Sequence, residues 1–184
     1  MPQPNLIRLV LMSALLQIAP LSQAGAEMLQ FSTPEGVKSW PKLADIPDWH
    51  QDQESSMKLG ANSLIPDGVD PAKAEVTIQA RGFSRTGAAA ATSVSQMVES
   101  DRAGAPSGTE VKQLSDVADK DGTRFNLYSF APPNNQGSWK AIAYSEEGEY
   151  LLAFTLNARS KSAYEANLPV FVTLIQKYAK DIPW

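Results

Sequence analysis

The 184-residue chain carries 16 lysines and arginines against 20 aspartates and glutamates, a formal net charge of −4, and it has no cysteine. This mild acidity, without a basic cluster, disfavours nucleic acid and anionic lipid as partners. The lack of thiols excludes a disulfide framework, a thiol nucleophile and a lipid-modified cysteine.

Residues 1–26 are typical of a cleavable signal peptide. Arg8 supplies the positive charge, residues 9–21 are mostly apolar but short for a bilayer span, and residues 24–26 (AGA) are small, as a signal peptidase requires. An uncleaved membrane anchor is the less favoured alternative. Because the segment resembles a bacterial signal, we expect a periplasmic protein with one domain over residues 27–184 and no membrane span after cleavage.

The first part of the mature chain contains one clear strand and several weaker elements. A short strand is expected at Met28–Ser32, followed by an irregular lead-in rich in proline and tryptophan up to Asp52, whose tryptophans close the edges of the core. Residues 53–60 suggest one or two helical turns. Residues 62–74 read as a short apolar segment and a loop. The regular alternation over Ala74–Arg81 predicts a half-buried strand.

A helix and a run of hairpins follow. Ser93 and Gln96 have the spacing of a capping box and predict a helix that ends near Arg102. Short turns, DKDG and EEG among them, place glycine where a positive φ is needed and imply antiparallel neighbours. The predicted strands in this part are Glu110–Ala118, Thr123–Ala131, Trp139–Ser145 and Glu149–Asn157.

The last predicted strand and helix indicate how the sheet and helices are layered. The strand over Glu149–Asn157 is apolar on both faces, so we expect it in the middle of the sheet. Ser162 and Glu165 predict a second capping box, and Pro169 predicts a kink in the terminal helix. With this helix on one face, and the Ser93 helix and the lead-in on the other, the fold class is α+β, an antiparallel sheet covered by helices on both faces.

Several stretches of this pattern resemble the PsbP-like superfamily. They are FSTPEG (31–36), AEVTIQARG (74–82), the run of hairpins and LLAFTLNARSKSAYEANLPVFVTLIQKY (151–178). That group includes the extrinsic PsbP subunit of photosystem II, the Mog-type Ran-binding proteins and small exported bacterial proteins. The resemblance implies an α/β/α sandwich and a binding or assembly role without catalysis, and it carries over no catalytic motif.

His50 is the only histidine and lies among carboxylates, so His50 and Asp52 are candidate ligands for a divalent metal. No paired-histidine spacing supports them, and a solvated loop histidine is the favoured interpretation. A nucleophile elbow and a glycine-rich phosphate loop are also missing from the sequence. The sequence thus indicates neither a catalytic residue nor a cofactor.

Two arginines are the candidate binding residues. Arg81 ends a strand and Arg159 lies at a strand–helix corner, and together with Trp139 or Tyr144 they are candidates for one surface that binds a carboxylate or a partner's backbone. The favoured alternative is that each arginine hydrogen-bonds nearby carbonyl groups and holds its corner.

The function expected from the sequence is an exported, non-catalytic accessory protein that contacts another protein of the cell envelope. The alternative is a small-ligand carrier with an apolar pocket between the sheet and the terminal helix. A hydrolase ranks last.

Processing of the signal segment is a first testable expectation. We expect the mature protein to begin at Glu27, because cleavage follows the small residue Ala26. The intact mass of protein extracted from the periplasm measures this directly. A mass that corresponds to cleavage after Ala24 supports the alternative site, and a full-length mass in the membrane fraction contradicts the export prediction.

Overall fold

The computed structural model describes residues 28–33, 36–86 and 93–179, so the predicted signal segment lies outside the described residues. Within these ranges the chain forms ten strands and three α-helices. The strands are β1 (Met28–Thr33), β2 (Gly36–Pro41), β3 (Trp49–Gln51), β4 (Asn62–Pro66), β5 (Val76–Ser84), β6 (Glu110–Gln113), β7 (Val117–Ala118), β8 (Arg124–Ala131), β9 (Trp139–Glu147) and β10 (Tyr150–Ala158). The helices are α1 (Gln53–Leu59), α2 (Val94–Gly104) and α3 (Lys161–Lys177).

The strands form one antiparallel sheet in the order β1-β2-β5-β10-β9-β8-β6. Strand β4 pairs with β5 beside β2, β3 pairs with β4, and β7 pairs with β8. The two predicted glycine turns are confirmed, since Gly122 and Gly148 have φ of +81° and +56°.

Strand β10 lies in the middle of the sheet, as its apolar sequence predicts, between β5 and β9. Leu152, Phe154 and Leu156 project to the face covered by α3, whereas Leu151 and Ala153 project to the face covered by α2. The fold class is therefore confirmed as α+β, a sheet with helices on both faces.

The lead-in is more regular than the sequence predicts. Its residues include β2, which pairs with β1 over six positions, and the short strand β3. The lead-in is predicted to pack on the same face as α2, but it packs on the α3 face, because Ile46 belongs to the same buried cluster as the α3 residues. Helix α2 therefore covers the opposite face without help from the lead-in.

The predicted strand over Glu110–Ala118 is two strands with an offset between them. Gln113 pairs with Tyr128, but Val117 pairs with Phe125, so this segment contains one residue more than the facing strand. An extra residue of this kind is a β-bulge, which interrupts the ladder and increases the local twist.

Helix α3 begins two residues earlier than predicted. Ser160 is the N-cap, and its hydroxyl accepts a hydrogen bond from the N–H of Ala163 at 3.2 Å. Pro169 lies inside the helix without ending it. Phe171, Leu174 and Ile175 are completely buried against the sheet, so side chains fill the interface where the carrier alternative places an apolar pocket. No described helix has the length and apolarity that a membrane span requires.

The observed start of α3 predicts that replacing Ser160 and replacing Ser162 by alanine will lower the free energy of unfolding by different amounts. Ser160→Ala removes the acceptor for the N–H of Ala163, and we expect it to lower the free energy of unfolding by about 1 kcal/mol. Ser162→Ala is the matched control and should stay within about 0.5 kcal/mol, because its side chain is exposed and its hydrogen bond is to the Ser160 hydroxyl, at 3.2 Å, and not to a backbone N–H. Urea unfolding of both variants measures the difference. If Ser162→Ala lowers the free energy of unfolding more than Ser160→Ala does, the N-cap is Ser162, as the sequence predicts, and not Ser160.

Candidate binding groove on the α2 face

A groove opens on the face of the sheet that α2 covers. Its floor consists of side chains from the neighbouring strands β5, β10 and β9, and its wall is one side of α2. This part of the groove has a volume of about 330 Å³. The polar residues that line it are Gln79, Arg81, Gln96, Ser100, Asp101, Lys140, Thr155 and Asn157. We call this cavity, together with the one described next, the α2-face groove.

A second cavity of about 320 Å³ continues from the first. It lies between the end of α2 and the loop that joins β8 to β9, where Gln136 and Ser138 contribute to its lining. Both cavities are lined by Asp101, Lys140 and Ile142. The two cavities therefore adjoin at these residues and form one elongated depression.

The groove exists for two reasons. Helix α2 is short, and successive side chains of the strands below it point to opposite faces of the sheet. A residue period of two directs Ile78, Phe154 and Leu156 to the α3 face, and the same period directs Gln79 and Thr155 to the α2 face. Helix α2 has eleven residues, and its buried side chains are Met97 and Val98. The helix covers the apolar part of this face and leaves the polar part beside it open.

Strand pairing fixes the positions of the floor residues. Gln79 lies opposite Thr155, and Asn157 lies opposite Lys140. Residues that lie opposite each other in an antiparallel pair have Cβ atoms about 5 Å apart. The floor thus presents two adjacent rows of polar side chains on central strands of the sheet.

Tyr144 and Asp101 tie the helix to the sheet at the edge of the groove. The Tyr144 hydroxyl donates a hydrogen bond of 2.5 Å to Asp101 Oδ2, and Tyr144 is completely buried. Burial raises the pKa of the Tyr144 phenol far above its usual range, and the Asp101 carboxylate raises it further. The phenol therefore stays neutral and holds the Asp101 carboxylate against the sheet.

Arg81 and Tyr144 lie on the same face, in one row across three strands with Ala153 between them. Arg81 lines the groove, and its Nη2 donates to the carbonyl oxygen of Leu59 at 3.0 Å. Its Nε is buried and has no hydrogen-bond partner in the described part of the chain. Arg81 therefore braces the end of α1 and brings a positive charge to the groove.

Arg159 and Trp139 lie away from this row. Arg159 is exposed at the corner before α3, where its Nη2 donates to the carbonyl oxygen of Ala72 at 2.8 Å. Trp139 is buried on the α3 face, with its ring 5.6 Å from that of Tyr164. The four predicted binding residues therefore do not line one surface, and each arginine binds a carbonyl group as the favoured alternative predicts.

His50 and Asp52 have different partners. His50 Nδ1 lies 2.7 Å from Asp67 Oδ1, whereas Asp52 Oδ2 caps α1 by accepting the N–H of Ser55 at 2.8 Å. Hydrogen bonds from Ser55 lower the pKa of the Asp52 carboxyl group. Across the described ranges, no group of three or more histidine, aspartate or glutamate side chains is placed to hold a metal ion.

Sequence reasoning missed the floor of the groove. Gln79, Lys140, Thr155 and Asn157 come from three separate strands, and only the sheet order brings them together. The one available signal is the pair Thr155 and Asn157, two polar residues in a strand that is otherwise apolar enough to be buried on both faces.

The fold and groove define a sandwich protein with an open polar depression on one face. Neither the family models nor the curated proteins contain a match to this chain. Solved structures of similar fold include the following three. A Pseudomonas aeruginosa protein of unknown function, PA94, described as a putative regulator, has 12% identity over 85% of this chain and 99% of its own, with a TM-score of 0.44.

The Ran-binding protein Mog1p of Saccharomyces cerevisiae has 10% identity over 79% of this chain and 84% of its own, with a TM-score of 0.39. Cyanobacterial PsbP (CyanoP) of Synechocystis sp. PCC 6803 has 9% identity over 93% of this chain and 99% of its own, with a TM-score of 0.43. These two are the kinds of protein that the sequence resemblance names. Because all three TM-scores are below 0.5, the fold assignment above depends on the strands and helices of this chain.

The buried phenols predict a distinctive alkaline titration. Burial raises the pKa of Tyr144, Tyr164 and Tyr178, three of the five tyrosines. Ultraviolet absorbance of tyrosinate should therefore show these three ionising later than in the protein unfolded by guanidinium, where all titrate near pH 10. Since the unfolded chain then loses protons that the native chain keeps, stability should fall as pH rises above about 10.

Tyr144→Phe is the control for this titration, because it should remove one late-ionising group and leave the rest of the curve unchanged. If native and unfolded proteins titrate together, the burial of these phenols is contradicted.

Proposed function

We propose that this chain is an exported, periplasmic accessory protein without catalytic activity, and that it binds a protein of the cell envelope through the α2-face groove. Export is supported by Arg8, the apolar segment and the small residues at 24–26. Binding is supported by the groove, which lies on the central strands of the sheet.

The polar floor of the groove is the observation that carries this proposal. The side chains of Gln79, Lys140, Thr155 and Asn157 make no hydrogen bond or ion pair with other described residues. Three of them are half-buried, and Lys140 is exposed. Half-buried polar groups on central strands need partners from water or from another molecule. A partner that occupies the groove would satisfy them.

The phenol at the edge of the groove suits binding better than proton transfer. Burial moves the pKa of Tyr144 further from neutrality. A general acid or base works best with a pKa near the pH at which it acts. The Asp101 carboxylate already accepts the Tyr144 hydroxyl.

Photocrosslinking from the groove in living cells tests this proposal. A photoreactive amino acid at Ser100, on the groove wall, should crosslink a specific envelope protein, whereas the same residue at Gln176, on the exposed side of α3, should not. Mass spectrometry identifies the crosslinked product, and fractionation reports the compartment.

Three results would contradict the proposal. They are equal crosslinking from Ser100 and Gln176, a cytoplasmic location of the mature protein, and hydrolysis by the purified protein that is lost in His50→Ala.

A further inference from the structure

We propose that the α2-face groove recognises an extended, acidic polypeptide segment, with Gln79 and Asn157 binding its backbone and Lys140 binding a carboxylate side chain. The inference rests on the proposed function and names the chemistry of the partner. It follows from the hydrogen-bonding capacity, the spacing and the charge of the groove floor.

The two amide side chains have the hydrogen-bonding capacity that a peptide backbone requires. Each offers an acceptor oxygen and two N–H donors, so one amide can bind both the N–H and the C=O of a peptide unit. Neither Gln79 nor Asn157 uses this capacity within the described part of the protein. Thr155, opposite Gln79, adds a hydroxyl group beside them.

The spacing of the two amides matches an extended chain. Asn157 lies two residues beyond Thr155, the residue opposite Gln79, so Gln79 and Asn157 are diagonal neighbours in the sheet. Such neighbours are about 7–8 Å apart. Residues i and i+2 of an extended peptide, which point the same way, are about 6.8 Å apart. One extended segment can therefore meet both amides at alternate residues.

The charge of the groove favours an acidic segment. Lys140 lies opposite Asn157 and makes no ion pair with a described residue, and Arg81 adds a second positive charge at the other end of the floor. The carboxylate of the groove, Asp101, accepts a hydrogen bond from Tyr144. Arg81, Lys140 and Asp101 together give the lining of the groove a net charge of +1, on a chain whose formal net charge is −4.

The shape of the groove favours a segment over a compact anion. The depression continues past Lys140 into the second cavity, which shares Asp101 and Ile142 with the first. A single carboxylate or phosphate ion would occupy only the region around Lys140. A polypeptide would also contact the amides on one side of Lys140 and the second cavity on the other.

Fluorescence anisotropy with a labelled peptide of about eight alternating glutamate and serine residues, long enough for an extended chain to span the floor, tests this inference. The mature protein should bind this peptide about tenfold more tightly than a peptide of alternating glutamine and serine, and binding should weaken as salt is added. Free glutamate, the compact anion, should not compete at concentrations comparable to the peptide.

Matched variants assign the effect to the groove. Lys140→Gln should weaken binding of the acidic peptide about tenfold, and Gln79→Ala or Asn157→Ala about fivefold. Lys112→Gln is the control, because it makes the same change of charge at an exposed lysine of β6, whose partner Ser129 faces α3. It should bind like the unchanged protein. Thermal unfolding confirms that every variant is folded.

Equal binding of the acidic and neutral peptides, or equal losses for Lys140→Gln and Lys112→Gln, would overturn the inference. Competition by free glutamate as strong as by the peptide would also overturn it, in favour of a small-anion site. If Ser100 crosslinks an envelope protein but no acidic peptide binds, this inference fails and the proposed function stands. If acidic peptide binds but Ser100 crosslinks nothing, the proposed function fails and the groove chemistry stands.

Discussion

Strand β10 hydrogen-bonds along its whole length to β5 on one side and to β9 on the other. On its α3 face, Leu152, Phe154 and Leu156 are completely buried. These side chains join the aromatic cluster of Phe125 and Tyr178, so the same strand anchors both the sheet and the terminal helix. The other face of this strand is the centre of the groove floor, and its pairing with β5 and β9 fixes the positions of the floor residues.

The two faces of β10 differ in what covers them. Helix α3 has seventeen residues and seals its face with fully buried side chains, whereas α2 has eleven and leaves part of its face open. A helix placed over Thr155 and Asn157 would bury polar groups without partners, which is costly. The polar side chains of β10 therefore keep the groove open, and the apolar ones hold α2 beside it.

The hydrogen bond between Tyr144 and Asp101 sets the position of the groove wall. It joins the buried centre of β9 to the exposed side of α2, and the raised pKa of the phenol keeps the donor proton in place across the physiological range. Asp101 borders both cavities, so this contact fixes the wall at the point where they adjoin, and the packing of Met97 and Val98 against the sheet holds the rest of α2.

Local patterns in the sequence determined the elements whose signals are short-range. The alternation in β5, the cap at Ser93, and the turns at Gly122 and Gly148 depend on neighbouring residues, and each is found as predicted. Features that depend on pairing between residues far apart in the sequence were decided by the tertiary structure. Strand β2 forms because β1 and β5 border it, and Gln79 meets Asn157 and Lys140 only through the order β5-β10-β9. Residue periodicity assigns a side chain to a face, but the neighbours on that face depend on strand order, which local sequence does not contain.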